Sequence, residues 1–337
     1  MAEFDVCEDC APANCTHGFS NMSTVFFIFL CSICGFLATG GNLALLIAFS
    51  HSETIRKRVN IYFMLSLTVA DMVIGLTMTP LYICYATIHD PYALWLVKLE
   101  GFLWIVTVTA TTHSLSAVSL DRLISVLYPL RYHQIMTKKR CRVVVLLIWL
   151  GSVIFGLPRL VLNDFVKLEK LWIACSVATV GIPLLVMSLS YGRIFAIVRK
   201  QSGKWKNPNA SRDTLGNKKA AVTIGIIVCL FVVTFIPSAV VYFMLLFEDN
   251  LCKEYQLNDV WLWAALVSFC HSSFNPWVYG FRYRELRKDF MALFGKTVIW
   301  YPDNINKQVK LIQVLPWVFY IINNKIPYVL SLWEIPD

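Results

Sequence analysis

Residues 220–247 read AAVTIGIIVCLFVVTFIPSAVVYFMLLF, a run without one charged side chain. A helix crossing the hydrocarbon core of a bilayer needs ~20 mostly apolar residues, and this stretch supplies them. Working outward, the windows 24–50, 60–86, 100–127, 142–162, 171–198 and 259–281 meet the same standard. Pro80, Pro158, Pro183, Pro237 and Pro276 fall inside these windows. In a soluble helix they would mark breaks, whereas in a membrane bundle neighbouring helices and water can satisfy the freed carbonyls. The expected fold is all-α, a bundle of seven transmembrane helices. Composition agrees: the 337 residues are 57% hydrophobic and 15% charged, with mean hydropathy +0.61, where a soluble domain carries about 25% charge. Soluble multidomain, disordered, collagen-like and small disulfide-scaffold classes are thereby excluded. The net charge of +9 is not gathered in one soluble patch, which argues against a nucleic-acid partner.

Where the basic residues lie predicts the orientation, because cytoplasmic loops retain Lys and Arg. Residues 1–23 contain no basic residue and four acids, Glu3, Asp5, Glu8 and Asp9. The loops after spans one, three, five and seven collect twenty Lys and Arg, including Arg56-Lys57-Arg58, Lys138-Lys139-Arg140 and Lys218-Lys219. The opposite side holds five: Lys98, Arg159, Lys167, Lys170 and Lys253. A multi-pass protein of the plasma membrane is expected, with its N-terminus extracellular. The acidic start has no basic n-region, so no cleavable signal peptide is expected and span one serves as its own insertion signal. Asn14-Cys15-Thr16 and Asn21-Met22-Ser23 are glycosylation acceptors on the outer side. Asn209-Ala210-Ser211 has the pattern but falls on the cytosolic side.

Polar residues inside the spans are costly and are functional candidates by default. Asp71 lies midway along span two, Asn42 and Asn275 stand at similar depth in spans one and seven, and Asp121-Arg122 closes span three. Taken singly, each reads equally well as interhelical glue. Their spacing as a set asks for more.

Gly41-Asn42, Asp71, Asp121-Arg122-Leu123, Trp149, Pro183 with Tyr191, Phe235-Ile236-Pro237 and Asn275-Pro276-Trp277-Val278-Tyr279 occur in order, about one per span. Together they resemble the rhodopsin-like (class A) G-protein-coupled receptors over about residues 24–294. Phe281 to Phe290 looks like the amphipathic, membrane-parallel eighth helix of that family, here bounded at 282–294. Asn60-Ile61-Tyr62-Phe63 and Tyr128-Pro129-Leu130-Arg131-Tyr132-His133 look most like adenosine and melanocortin receptors. The resemblance implies a receptor, not an enzyme, that relays an extracellular signal to a heterotrimeric G protein. It implies a switch in which Arg122, held by Asp121 at rest, swings toward Tyr191 and Tyr279 while span six moves out about Pro237. Many members lock that arginine with an acid at the base of span six. Asn217 stands there, a weaker partner than a carboxylate, and raised basal signalling is expected.

The resemblance further implies a polar core of Asn42, Asp71, Thr111, Ser272 and Asn275, which in the family often holds a sodium ion. His271 stands where many members carry Asn. It reads either as a neutral hydrogen-bonding imidazole or as a protonated one that repels the cation. No other cofactor or metal is expected. The outer cavity, by offset from the motifs, is lined by Trp104, Val108, Cys175, Phe235, Tyr242, Ala265, Ser268 and Phe269, with Glu100 one turn outward. Trp104 replaces the ammonium-binding Asp of amine receptors, Phe269 the retinal lysine of opsins, and Tyr242 the Asn of adenosine receptors. Leu81, Val97 and Gly101 replace the acid cluster of melanocortin receptors. The expected ligand is small and apolar or a peptide, and the aromatic residues read equally as helix packing.

Most of the family bridges the top of span three to the second outer loop, but residues 87–100 and 161–174 contain no Cys. Cys7, Cys10, Cys15 and Cys252 lie outside instead, and four cysteines allow three pairings. A tether from the N-terminal segment, residues 1–23, to the third outer loop is one of them. Cys31, Cys34, Cys141, Cys229 and Cys270 read as small apolar residues within spans. With no cysteine after Cys270, the eighth helix would rely on Phe281, Leu286, Phe290 and Phe294 in the lipid and on basic residues at anionic headgroups. Residues 295–337 have no counterpart in the family and read as a cytoplasmic or interfacial tail with few phosphorylation sites. A transporter would show inverted repeats, and none is visible. A membrane enzyme would show a catalytic motif such as HExxH or GxSxG, and none occurs. A receptor-like protein without a ligand of its own remains the other reading.

Overall fold

The computed structural model describes residues 20–51, 56–87, 94–162, 175–202, 212–248 and 250–282. Every regular element among them is helical. Span one is Asn21–His51, span three Leu94–Leu127, span four Lys138–Val161, span six Arg212–Leu245 and span seven Leu251–Arg282. Span two runs as Ile61–Val73, a wider π-helical turn Ile74–Met78, and Thr79–Thr87. Span five has the same construction, with a π-helical turn Val177–Gly181 leading into Ile182–Ser202. Several helices begin before the apolar windows, span three at Leu94 rather than 100 and span seven at Leu251 rather than 259. Helical hydrogen bonding continues into polar ends that a hydropathy window does not register.

Among the described residues, six of the seven spans are long and apolar enough to cross a membrane, and span seven is not among them. Its sequence is diluted by His271, Ser272, Ser273 and Asn275, all at most 5% exposed. A helix whose polar side chains point into the bundle can be less apolar on average and still present a lipid-compatible face. Span three forms the axis: 72% of its apolar window is buried, against 17% for span four. Span four in turn exposes Leu146, Leu147, Leu150 and Ile154, as lipid-facing helices do.

Two apolar clusters fill the interior. Leu45, Phe49, Leu67, Leu115, Ile227, Phe231 and Tyr279 belong to one; Phe27, Met78, Tyr82, Trp104, Ala265 and Phe269 belong to the other. Helices in lipid associate by close packing of small residues. A Cβ on Gly75 would lie 2.9 Å from the Thr39 backbone nitrogen, and one on Gly41 would lie 2.9 Å from the Pro276 ring. Span one therefore seats directly against spans two and seven.

Two of the prolines explain cross-helix bonds. Pro183 cannot return an N–H to the carbonyl four residues back, that of Thr179, and the Thr112 hydroxyl of span three donates to it instead at 2.6 Å. Pro276 likewise frees the Ser272 carbonyl, and Asn42 Nδ2 of span one donates to it at 3.0 Å. Residues 295–337 and the expected eighth helix at 282–294, apart from Arg282 itself, lie outside the described residues.

Candidate functional site

Near the C-terminal end of span three, Arg122 Nε donates to Asp121 Oδ2 at 2.9 Å and its Nη2 reaches the same oxygen. Asp121 is fully buried and Arg122 nearly so. The other carboxylate oxygen accepts the Tyr132 hydroxyl at 2.6 Å. Tyr132 opens a one-turn helix, Tyr132–Ile135, that follows a tight turn at Pro129–Arg131. That helix is fixed by Arg140, whose Nη1 donates to the carbonyls of Gln134 and Ile135 at 3.0 and 2.7 Å. Thr137 caps span four by accepting from Arg140 N. Burial and the adjacent Asp121 charge push the Tyr132 phenol well above its ordinary value, so it remains a donor at neutral pH. Tyr279 is 1% exposed within the inner cluster, and the Tyr191 ring lies over Gly225 of span six, 3.3 Å from where a Cβ would stand. Asn217 falls within the helix of span six; its side chain lies outside the described residues.

Deeper in, Asp71 is fully buried. Its Oδ1 accepts from Ser272 Oγ at 2.8 Å and its Oδ2 from Asn275 Nδ2 at 2.7 Å. His271 Nε2 lies 3.2 Å from Ser272 Oγ and 3.6 Å from Asp71 Oδ1, while its Nδ1 points to the Ser268 carbonyl. Asn42 reaches this core through the Ser272 carbonyl and the Ala38 carbonyl of its own helix. Three buried oxygens here, Asn42 Oδ1, Thr111 Oγ1 and Asn275 Oδ1, have no hydrogen-bond partner among the described residues.

Above the core lies a small cavity of about 10 Å³, room for about one water molecule, lined by Ile74, Trp104, Thr107, Val108, Thr111, Phe231, Phe235, Ser268, Phe269 and His271. Five expected pocket residues, Trp104, Val108, Phe235, Ser268 and Phe269, meet there. Glu100, Cys175, Tyr242 and Ala265 do not line it. Ala265 is fully buried in the aromatic cluster and Cys175 is buried at the start of span five. Glu100 faces a different neighbourhood: Tyr82 OH donates to its Oε1 at 2.6 Å, and Trp261 Nε1 donates to that hydroxyl at 3.1 Å. Trp104 closes one side of the cavity, its ring 4.8 Å from Trp261 and 5.6 Å from Phe269. Ser268 Oγ lies within hydrogen-bonding distance of the Thr234 carbonyl, 3.2 Å, and Ser238 Oγ, 2.8 Å, so it joins span seven to span six beside Pro237.

Sequence reasoning missed Tyr132, Tyr82, Trp261, Thr107 and Phe231. Tyr132 follows Pro129 by one short turn, and only the fold-back of that turn reveals its contact with Asp121. Among cysteines, Cys252 is disulfide-bonded, and the other seven described ones are free. Cys7, Cys10 and Cys15 lie outside the described residues, as does Asn14. Asn21 is exposed on the first turn of span one.

Residues 41–279 match the family described as 7 transmembrane receptor (rhodopsin family), and the chain belongs to that family. It is a multi-pass membrane receptor that signals through G proteins in response to an extracellular ligand, and not an enzyme. It is similar to trace amine-associated receptor 365 of Petromyzon marinus, 25% identical over 287 residues, 77% of this chain and 76% of that one. It is similar to adenosine receptor A2b of Gallus gallus, 27% identical over 313 residues, 82% and 91% of the two chains. Human histamine H2 receptor is 25% identical over 283 residues, 77% and 76%. These names carry three different ligands, so likeness alone selects none.

Proposed function

We propose that a compact, apolar extracellular ligand settles beneath Trp104 against Val108, Phe235, Ser268 and Phe269 and drives the switch at Arg122. The observation that carries this reading is the double position of His271. Its imidazole lines the cavity and also lies beside Ser272, the residue that donates to Asp71. A second contact path runs through rings: Phe235 stacks on Phe231 at 5.4 Å, and Phe231 meets His271 edge-on at 5.1 Å. A ligand pressing on Phe235 or Ser268 therefore acts on the join between spans six and seven. At the inner end that rearrangement releases Arg122 from Asp121 toward Tyr191 and Tyr279, opening the surface that a heterotrimeric G protein reads. The cavity must widen to admit such a ligand, and its apolar walls and small size favour a small molecule over a peptide.

On the same reading, residues 1–23 lie outside the plasma membrane, glycosylated at Asn14 and Asn21 and tethered through Cys252 to Cys7, Cys10 or Cys15. Residues 282–294 lie along the inner leaflet, their basic side chains on anionic lipid. The polar core fits a sodium ion by its donor chemistry, since hard cations take oxygen ligands. Asp71 and the orphaned Thr111 hydroxyl would hold it. Such an ion supplies one positive charge to a buried carboxylate.

The test is guanine-nucleotide exchange on a panel of G proteins by the receptor in lipid nanodiscs, screened against lipid, nucleoside and peptide libraries. An agonist whose response is lost in Phe235→Ala and weakened in Ser268→Ala supports the reading. An agonist whose potency is indifferent to both overturns the assigned cavity, as does a response confined to large peptides.

A further inference from the structure

Two thiols that sequence reading assigns to apolar packing face each other across spans one and seven. Cys34 Sγ and Cys270 Sγ are 3.5 Å apart, and both are free and partly exposed. The helices approach closely at this level, since Ser273 Oγ donates to the Cys34 carbonyl at 3.0 Å. We propose that Cys34 and Cys270 form a redox-modification site, a dithiol that membrane-soluble hydroperoxides convert into a disulfide joining span one to span seven.

The chemistry balances without any further reagent. One thiol sulfur attacks the peroxide oxygen, the O–O bond breaks, an alcohol leaves and a sulfenic acid forms. The second thiol then attacks that sulfur, forming the S–S bond and releasing water. The hydroperoxide takes two electrons and ends as alcohol and water, and the two thiols become one disulfide. Partial exposure on lipid-facing helices gives a hydroperoxide dissolved in the acyl chains a route to the pair. Bringing the sulfurs from 3.5 Å to a bond of about 2.05 Å asks for side-chain rotation between helices already in contact.

The disulfide would also bear on switching, a consequence that rests on the receptor reading above. Cys270 directly precedes His271 and stands two residues before Ser272, the donor to Asp71. A covalent bond to span one at that point restrains the part of span seven that the ligand is proposed to shift.

Full-length receptor in nanodiscs is treated with cumene hydroperoxide, free thiols are blocked with a maleimide, and peptides are mapped without reduction. A Cys34–Cys270 cross-linked peptide that disappears with dithiothreitol is expected, together with a reductant-reversible rise in unfolding temperature and a fall in nucleotide exchange. Neither change occurs in Cys34→Ser or Cys270→Ser, and both persist in Cys31→Ser. Maleimide labelling of both cysteines after oxidation overturns the site, as does a bridge to Cys31. A cross-link that leaves nucleotide exchange unchanged overturns the regulatory consequence while leaving the receptor reading intact.

Discussion

The amide of Asn42 donates to the Ser272 carbonyl that Pro276 deprives of its helical partner. An unsatisfied buried carbonyl costs about 1–3 kcal/mol. Asn42→Ala should therefore lower the unfolding temperature of detergent-solubilised receptor, a loss that Asn42→Gln recovers only in part because its amide is displaced by one methylene. Tyr132 is the second residue whose role is local and testable. Its phenol is raised above the ordinary value of about 10, so the donor to Asp121 is fully present below that pH and is lost only above the raised value. Tyr132→Phe removes a bond to a charged acceptor worth about 1.5–3 kcal/mol. Exchange measured from about pH 6 to about pH 9 should show a mutant-to-wild-type ratio independent of pH. A ratio that drifts through this interval would mean the phenol titrates there.

Helices in this bundle meet where one lacks a side chain or lacks an N–H. Gly41 admits the Pro276 ring, and a Cβ there would stand 2.9 Å from it. Because a proline ring cannot rotate aside, Gly41→Val should overpack the contact and destabilise by about 1–3 kcal/mol, read as lower surface expression and earlier thermal unfolding. The coupling between Asn42 and Pro276 can be measured by a double-mutant cycle. Pro276→Ala restores an N–H to the Ser272 carbonyl, so Asn42→Ala should cost clearly less in that background than in the wild type. Equal costs in both backgrounds would sink the assignment of Asn42 to that carbonyl. Thr112 plays the corresponding part for span five, reaching the Thr179 carbonyl at 2.6 Å.

Across the whole molecule, the described arrangement keeps Arg122 on Asp121, the resting partner implied by the resemblance. Arg122→Ala should abolish nucleotide exchange in protein that reaches the cell surface. Asn217→Glu adds a carboxylate at the base of span six, where a charge-assisted bond is about twice as strong as a neutral one. A gain of about 1 kcal/mol for the resting state shifts the equilibrium about fivefold, so ligand-free second-messenger output should fall by that factor. Unchanged output would separate Asn217 from the arginine lock.

Span number and the order of the motifs were legible in the sequence, because apolar length and local motif spacing are properties of a segment. Span seven shows the limit of that logic: its polar residues lower its mean hydropathy, and only its packing shows that they turn inward. Five of the nine expected pocket positions meet at the cavity, since offsets from a motif give helical face but not tilt or depth. The Cys34–Cys270 pair joins residues 236 positions apart, and the Asn42–Ser272 bond joins residues 230 apart. No local pattern marks either one. Which carbonyl a side chain serves, and which thiol another meets, depends on how whole helices lie against each other, and tertiary packing alone decided that.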